Sequence, residues 1–402
     1  MWENKTKPLD VTFRDPQKSP LKSLTQKSIR KSRNREVCLF IFCCVLVHFM
    51  THLYTKMSID IQGTFVSQKI NKVRWIPEDY AETKCFLTGS WDDEVNLITV
   101  WTFESVNEDE EVEYPRALTK YPVDDDVTQI KFTEKNKIAV SISNGDVKIL
   151  EISAYDKQTP LKEIFSWKSL HNYGNTKCSA TSLDTYEGDI ASIGEDGNVN
   201  ILSGRRGEVN RTIKGADSCS LHSICYLKHT EVITGNIRGH IKIWDLRSEV
   251  DKPAASFLLA GDELAATCII NHPTQPHIVL AGSESGSVAI WDLRMNTFPT
   301  SLLSAHTGGV TEMQFHPENP QKLLTCAVSG ELWDWNMETI TKSTKGPDNQ
   351  LVWMPLQDKN TMMINSLMPS FHQALNSLDC EKGRILCGAD NEAVYLIKNL
   401  KY

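Results

Sequence analysis

The sequence predicts an all-β fold in which seven four-stranded sheets stand radially and close into a ring. Three observations predict it. A short unit recurs seven times along the 402 residues. Each unit alternates apolar and polar residues at period two, as half-buried strands require. Most units are split by a polar turn carrying a glycine, the residue that tolerates positive φ in a tight strand-to-strand turn.

Taken in order, the units end on Trp101, Leu150, Leu202, Trp244, Trp291, Trp335 and Ile397. The first pairs Phe86-Leu-Thr-Gly-Ser with Asn96-Leu-Ile-Thr-Val-Trp101, and the second Ile138-Ala-Val-Ser-Ile with Gly145-Asp-Val-Lys-Ile-Leu150. The third pairs Ile190-Ala-Ser-Ile-Gly with Gly197-Asn-Val-Asn-Ile-Leu202, and the fourth Val232-Ile-Thr-Gly with Gly239-His-Ile-Lys-Ile-Trp-Asp245. In the fifth, Ile278-Val-Leu-Ala-Gly precedes Gly286-Ser-Val-Ala-Ile-Trp-Asp292; in the sixth, Leu323-Leu-Thr-Cys precedes Gly330-Glu-Leu-Trp-Asp-Trp335. The seventh joins Ile385-Leu-Cys-Gly to Glu392-Ala-Val-Tyr-Leu-Ile397. The terminal positions are spaced by 49, 52, 42, 47, 44 and 62 residues, close to the roughly 40–45 residues of a four-stranded WD40 blade with some longer loops. Trp244-Asp245 and Trp291-Asp292 are the dipeptides that name such repeats, and Ala305-His306 stands where they carry Gly-His.

A further apolar strand precedes each unit, for example Val127–Phe132 and Val310–Phe315. One sheet cannot bury both faces alone, whereas seven arranged radially bury each face against a neighbour. The last blade has only three strands of its own, so Phe65-Val-Ser-Gln-Lys-Ile70 is expected to supply its outer strand. The propeller is expected over residues 62–402 as a seven-bladed WD40 β-propeller. Residues 103–122 and 338–370 are expected to be long exposed connections.

Residues 1–56 differ in character. They hold 11 Lys/Arg against 4 Asp/Glu, while the remainder holds 32 against 47. An acidic body is a poor partner for phosphate backbones, so no direct nucleic-acid contact is expected of it. Residues 1–36 read as a basic, disordered extension. Residues 37–56 contain an apolar run at 37–54, at the short end of a membrane span. Three readings stand: a signal anchor, a cleaved signal peptide, or a segment dispensed with when translation begins at Met57. The odd number of cysteines, eleven with no C-x-x-C pair, points to a reducing compartment and favours the third. Cys85, Cys178, Cys268, Cys326 and Cys387 read as small core residues on strands.

Several stretches go beyond the repeat pattern. They are Phe65–Ile70 with Arg74-Trp75, Thr88-Gly-Ser-Trp-Asp92, Gly194-Glu-Asp-Gly197, Ala216-Asp-Ser218, Ser301-Leu-Leu303, Leu332-Trp333 with Trp335, and Cys387-Gly-Ala-Asp390. Through every blade, from about residue 60 to 402, the chain resembles the forty-three-kilodalton WD-repeat nucleoporins, subunits of the Y-shaped complex in the outer rings of the nuclear pore. The resemblance implies a non-catalytic scaffold without cofactor, located at the pore and, in mitosis, at the kinetochore. It implies other Y-complex nucleoporins as partners, notably the α-solenoid subunit of the short arm, and roles in pore assembly and in transport of messenger RNA and protein. The chain departs from the pattern at Asn336, which replaces the Asp of a Trp-Asp pair, at Asp334 in an apolar position and at Glu392 in a glycine position, so the last two blades are expected to be looser. A membrane-anchored WD-repeat adaptor, tethered through 37–54, is the alternative.

Candidate chemistry is weak throughout, and catalytic, cofactor and metal residues are all assigned as none. His222, His306 and His316 invite a metal or catalytic reading, but a histidine before an inner strand serves a buried hydrogen-bond network in WD repeats. The acceptor for His306 cannot be fixed, since the usual turn Asp is absent. Glu195-Asp196 and Asp92-Asp93 are paired carboxylates in turns, where such residues bond backbone amides. Gly197, Gly239 and Gly286 lack the following helix of a phosphate loop. No set of charged residues converging on a central channel, as a propeller hydrolase needs, can be identified. Trp101, Leu150, Leu202, Trp244, Asp245, Trp291, Asp292, His306 and Trp335 are assigned as repeat positions. Trp75 and Trp91 are less determined, Trp91 lying in a turn as either a binding anchor or a cap on the core; Trp91 and Trp353 are interface candidates, and Trp167, like Trp353 in an irregular region, is a weaker one. Arg205-Arg206 reads as a solvated turn.

Overall fold

Seven inner strands stand side by side around a channel: Ile70–Trp75, Val127–Glu134, Ala180–Tyr186, Leu221–Lys228, Ala266–Asn271, Val310–Phe315 and Leu375–Glu381. Each opens a four-stranded antiparallel sheet, and these sheets are blades 1 to 7; in blades 1 to 6 the strands follow chain order outward. The computed structural model describes residues 59–78, 83–105, 113–153, 161–259, 264–294, 299, 301–337 and 364–398. The expectations for 1–36 and 37–56 fall outside these residues, as does Trp353. No helix among the described residues is long and apolar enough to cross a membrane.

The seventh blade closes the ring as expected, but with a different segment. Asp60–Phe65 pairs with Ala393–Lys398, from Asp60 opposite Lys398 to Phe65 opposite Ala393. Ile70 instead begins the inner strand of blade 1. The alternation decides this: Ile70 and Val73 are fully buried, while Phe65 stays 65% exposed. Residues 103–122 also differ from expectation. The third strand of blade 1 runs on to Ser105 and its outer strand spans Glu113–Val123. The strand holds Pro115 and Pro122, which an edge strand tolerates because a missing N–H there costs no ladder bond. The segment 338–370 holds the outer strand of blade 6, Ile364–Met368.

Packing is between blades. Leu87, Ile98 and Val100 of blade 1 meet Ile130, Ile138 and Leu150 of blade 2 in one cluster. Equivalent clusters join the other neighbours. The fully buried Ile, Leu and Phe side chains each contribute roughly 1.5–3 kcal/mol relative to exposure. Glu392 adopts the positive φ, 60°, that Gly286 and Gly330 adopt in the matching turns. All eight cysteines among the described residues are free thiols. Cys326 and Cys387 fit the core-strand reading, whereas Cys178 is buried in a loop and Cys85 and Cys268 are half-buried.

Candidate functional site

The channel is built from one device repeated seven times. Each inner strand carries a β-bulge after its first residue, at Asn71, Thr128, Thr181, His222, Thr267, Thr311 and Asn376. A bulge leaves its residue out of the ladder and re-aims its side chain. Six of the seven side chains donate to the carbonyl that precedes the bulge of the next blade. Asn71 reaches Val127 at 2.6 Å, Thr128 reaches Ala180 at 2.5 Å and Thr181 reaches Leu221 at 2.5 Å. Thr267 and Thr311 reach Val310 and Leu375 at 2.5 Å, and Asn376 returns to Ile70 at 3.0 Å. His222 is the exception; Ser223 beside it donates to Ala266 at 2.8 Å and keeps the ring unbroken. Each link contributes net about 0.5–1.5 kcal/mol and satisfies a carbonyl that the bulge removes from its sheet.

Below this ring, charged side chains do converge, contrary to the sequence expectation. Arg74 and Glu312 are 7% and 9% exposed and face one another across blade 7. Arg74 donates to both Glu312 oxygens, to Gln129 Oε1 at 2.7 Å and to the Ile130 carbonyl at 2.9 Å. Glu312 also accepts from Ser377 Oγ at 2.6 Å and the Leu378 amide at 3.1 Å. Burial pushes the Glu312 carboxyl up, but the Arg74 and Lys72 charges outweigh it and hold the pKa at about 2. Burial, helped by the nearby Glu312 charge, raises the thiols of Cys268 and Cys326 to about 12, so neither is a nucleophile. The spacing hid this cluster: Arg74 and Glu312 are 238 residues apart, on strands that each look like any other apolar run.

The seam between blades 7 and 1 is stitched from channel to rim. Trp91 Nε1 donates to Asp390 Oδ1 at 3.0 Å, and Asn376 Nδ2 donates to the same oxygen at 2.6 Å. The Arg384 guanidinium stacks 4.5 Å over the Trp75 ring and donates to the Thr83 carbonyl at 2.6 Å. At the periphery Lys398 pairs with Glu113 at 2.6 Å. Trp91 therefore sits at the closure, half-buried, and Trp75 is buried there. Trp167 is half-buried against Phe165, their ring centroids 6.2 Å apart.

Trp101, Leu150, Leu202, Trp244, Trp291 and Trp335 are all buried. Three of the four indoles donate to a threonine on the adjoining strand: Trp101 to Thr88, Trp244 to Thr234 and Trp335 to Thr325. His306 Nε2 lies 2.7 Å from the same Thr325 hydroxyl, and its Nδ1 lies 3.1 Å from Glu331 Oε2. Ser329 occupies the usual aspartate position and bonds Glu331 Oε2 at 3.0 Å, so the longer glutamate, two residues on, completes the network. Blade 3 repeats the network, with Asp196 2.9 Å from His171 Nδ1 and Ser192 2.8 Å from its Nε2, a set the sequence reading missed. The inserted hairpin Asn172–Lys177 displaces His171 from the position where a repeat histidine is sought. Asp245 and Asp292 pair with Arg247 and Arg294 two residues later. Buried His316 accepts from the Glu318 and Asn319 amides at 3.2 Å. Arg205 and Arg206 are exposed in a turn. Among the described residues no group of three His, Cys, Asp or Glu is placed to hold a metal ion.

The chain is similar along its length to known proteins. Nucleoporin Nup43 of Mus musculus is 32% identical over 378 residues, covering 85% of this chain and 99% of that protein. Nucleoporin Nup43 of Homo sapiens is 32% identical over 380 residues with the same coverage. Nuclear pore complex protein nup43 of Dictyostelium discoideum is 23% identical over 440 residues, covering 89% of this chain and 99% of that one. No protein-family model matches. With a seven-bladed WD-repeat propeller, its seam stitched from Arg74 to Lys398, and a full-length match to these relatives, the chain belongs to the Nup43 family of nucleoporins, proteins of the nuclear pore complex.

Proposed function

We propose that the chain is a non-catalytic scaffold subunit of the Y-shaped complex, holding other nucleoporins through its propeller surface. The observation that carries this reading is the extent of the similarity, 99% of the length of the mouse and human relatives. The channel supports it: Arg74 donates to both oxygens of Glu312, and Ser377 and the Leu378 amide also bond Oε2, so the carboxylate is held as a structural ion pair and is a poor general base. On this reading the partners are Y-complex subunits, notably the short-arm α-solenoid, and the roles are pore assembly, transport of messenger RNA and protein, and kinetochore function. The propeller of 62–402 is the working domain, with 1–36 and 37–56 outside it.

Affinity purification of the full chain, tagged at its C-terminus in its own cells, tests this by mass spectrometry of stoichiometric partners. Recovery of Y-complex subunits is expected. Their reproducible absence overturns the scaffold reading. The apolar run at 37–54 favours the membrane-anchored adaptor as a second reading, and Asn210-Arg-Thr212 can decide it. Asn210 is exposed at a bulge in the outer strand of blade 3, in the N-x-Thr context that luminal enzymes glycosylate. A propeller translocated by an anchor acquires a glycan at Asn210; a pore scaffold on the cytosolic side leaves it bare.

A further inference from the structure

We propose that the channel mouth between blades 5, 6, 7 and 1 is a binding site for an acidic residue of a peptide, whose carboxylate is received by Lys72. A hollow of about 380 Å³ opens there, bordered by Lys72, Glu284, Gly309, Thr311, Val328 and Asn376. Lys72 also borders a channel cavity of about 120 Å³, so the one residue lines both spaces.

Lys72 is 8% exposed. An ammonium has three N–H donors, and a buried one is costly unless they are received. The hydrogen bond that Lys72 Nζ makes is to the Asn376 carbonyl at 3.5 Å, at the outer limit of such a bond. Glu312 does not complete its shell, because that carboxylate is taken by Arg74, Ser377 and the Leu378 amide. Burial and the neighbouring Arg74 charge both pull the Lys72 pKa down and Glu312 opposes them, so a carboxylate arriving at Lys72 would favour its charged form. The other ring positions at this mouth, Thr267, Thr311 and Asn376, have their donors committed to backbone carbonyls, so Lys72 is the group there with donors to offer.

The walls narrow the ligand. Val328, 53% exposed, and Gly309, which carries no side chain, border the hollow. The wall is therefore partly apolar. Glu284 on the wall repels a bare anion but accepts N–H groups. A carboxylate flanked by amide N–H groups, as in a glutamate or aspartate within a peptide, satisfies both Lys72 and Glu284. A volume of this size lies at the small end of ligand pockets, suited to one inserted residue.

The test uses the full chain and three probes followed by ligand-observed NMR: acetyl-Glu-N-methylamide, acetyl-Gln-N-methylamide and acetate. The glutamate probe is expected to bind at least tenfold more tightly than the glutamine probe or acetate, and Lys72→Met is expected to abolish that preference. A melting curve confirms that the variant is folded. Should Lys72→Met fail to fold, Val328→Trp blocks the rim without touching the ammonium, and it is expected to exclude the glutamate probe. Equal binding of the acid and its amide, acetate binding as tightly as the glutamate probe, no binding of any probe up to tens of millimolar, or unchanged binding in the folded variants each overturns the proposal.

Discussion

Arg74 Nη2 lies 2.5 Å from Glu312 Oε1, joining the inner strand of blade 1 to that of blade 6 through the body of blade 7. This pair spans the last blade to close, so it couples ring closure to the channel. Removing one partner of a buried pair strands the other charge and costs about 3–5 kcal/mol, whereas removing both is often far milder. Arg74→Met and Glu312→Met are each expected to lower the thermal midpoint sharply, and the double variant to recover much of the loss. A double variant as unstable as the two losses added together would show that the ion pair is not the unit of stability.

The same carboxylate sets an acid limit. Glu312 has its folded pKa depressed from 4.5 to about 2. Asp196 and Glu331 are also lowered: burial raises both, but their histidine partners and hydrogen bonds outweigh it. A depressed carboxyl pKa stabilises above the unfolded value and loses that contribution as pH falls through the folded one. Stability is therefore expected to decline from about pH 4.5 down towards pH 2, with Asp379, raised by burial, opposing the trend at the upper end of that range. Urea titrations at several pH values check this, and Glu312→Gln should flatten the slope. A decline that begins only above pH 6 would implicate other groups.

The blades were legible in the sequence because each obeys a local rule: period-two alternation, a turn glycine, an indole or leucine at the end of the third strand. The closing strand was legible only in kind. A blade with three strands must borrow a fourth, but Asp60–Phe65 carries few apolar residues, being exposed on one side, and the richer Phe65–Ile70 outcompeted it. The channel was not legible. Its bulge residues are, but for His222, ordinary Asn and Thr, and the charge pair joins two strands that only ring closure brings together. His171 and Glu331 were missed because a hairpin insertion and a two-residue offset move them out of register, although longer side chains and loops restore the same contacts.

Trp91 distinguishes a seam residue from an interface anchor. Its indole N–H is held by Asp390, so Trp91→Phe removes one hydrogen bond to a charged group while keeping the ring. Such bonds contribute about 1.5–3 kcal/mol; this one is half-exposed, so a loss nearer 1 kcal/mol is expected, with partner recovery from cells unchanged. Full stability together with lost partners would assign Trp91 to an interface instead.

Trp291 presents the complementary case. Its indole N–H is buried without an acceptor, because Ala281 stands where blades 1, 4 and 6 place Thr88, Thr234 and Thr325. Ala281→Ser offers a hydroxyl at the equivalent position while adding a single heavy atom. An unsatisfied buried donor costs about 1–3 kcal/mol, so restoring its partner should stabilise the protein by up to about 1 kcal/mol after the crowding of a fully buried site is deducted. Thr325→Val makes the reverse change in blade 6, removing the hydroxyl that receives the Trp335 indole N–H and bonds His306 Nε2, and should destabilise. Thermal midpoints moving in opposite directions for Ala281→Ser and Thr325→Val would establish the threonine hydroxyl as the element that decides which blades are firmly held. A fall for both would mean that packing around Ala281, rather than the missing acceptor, governs blade 5.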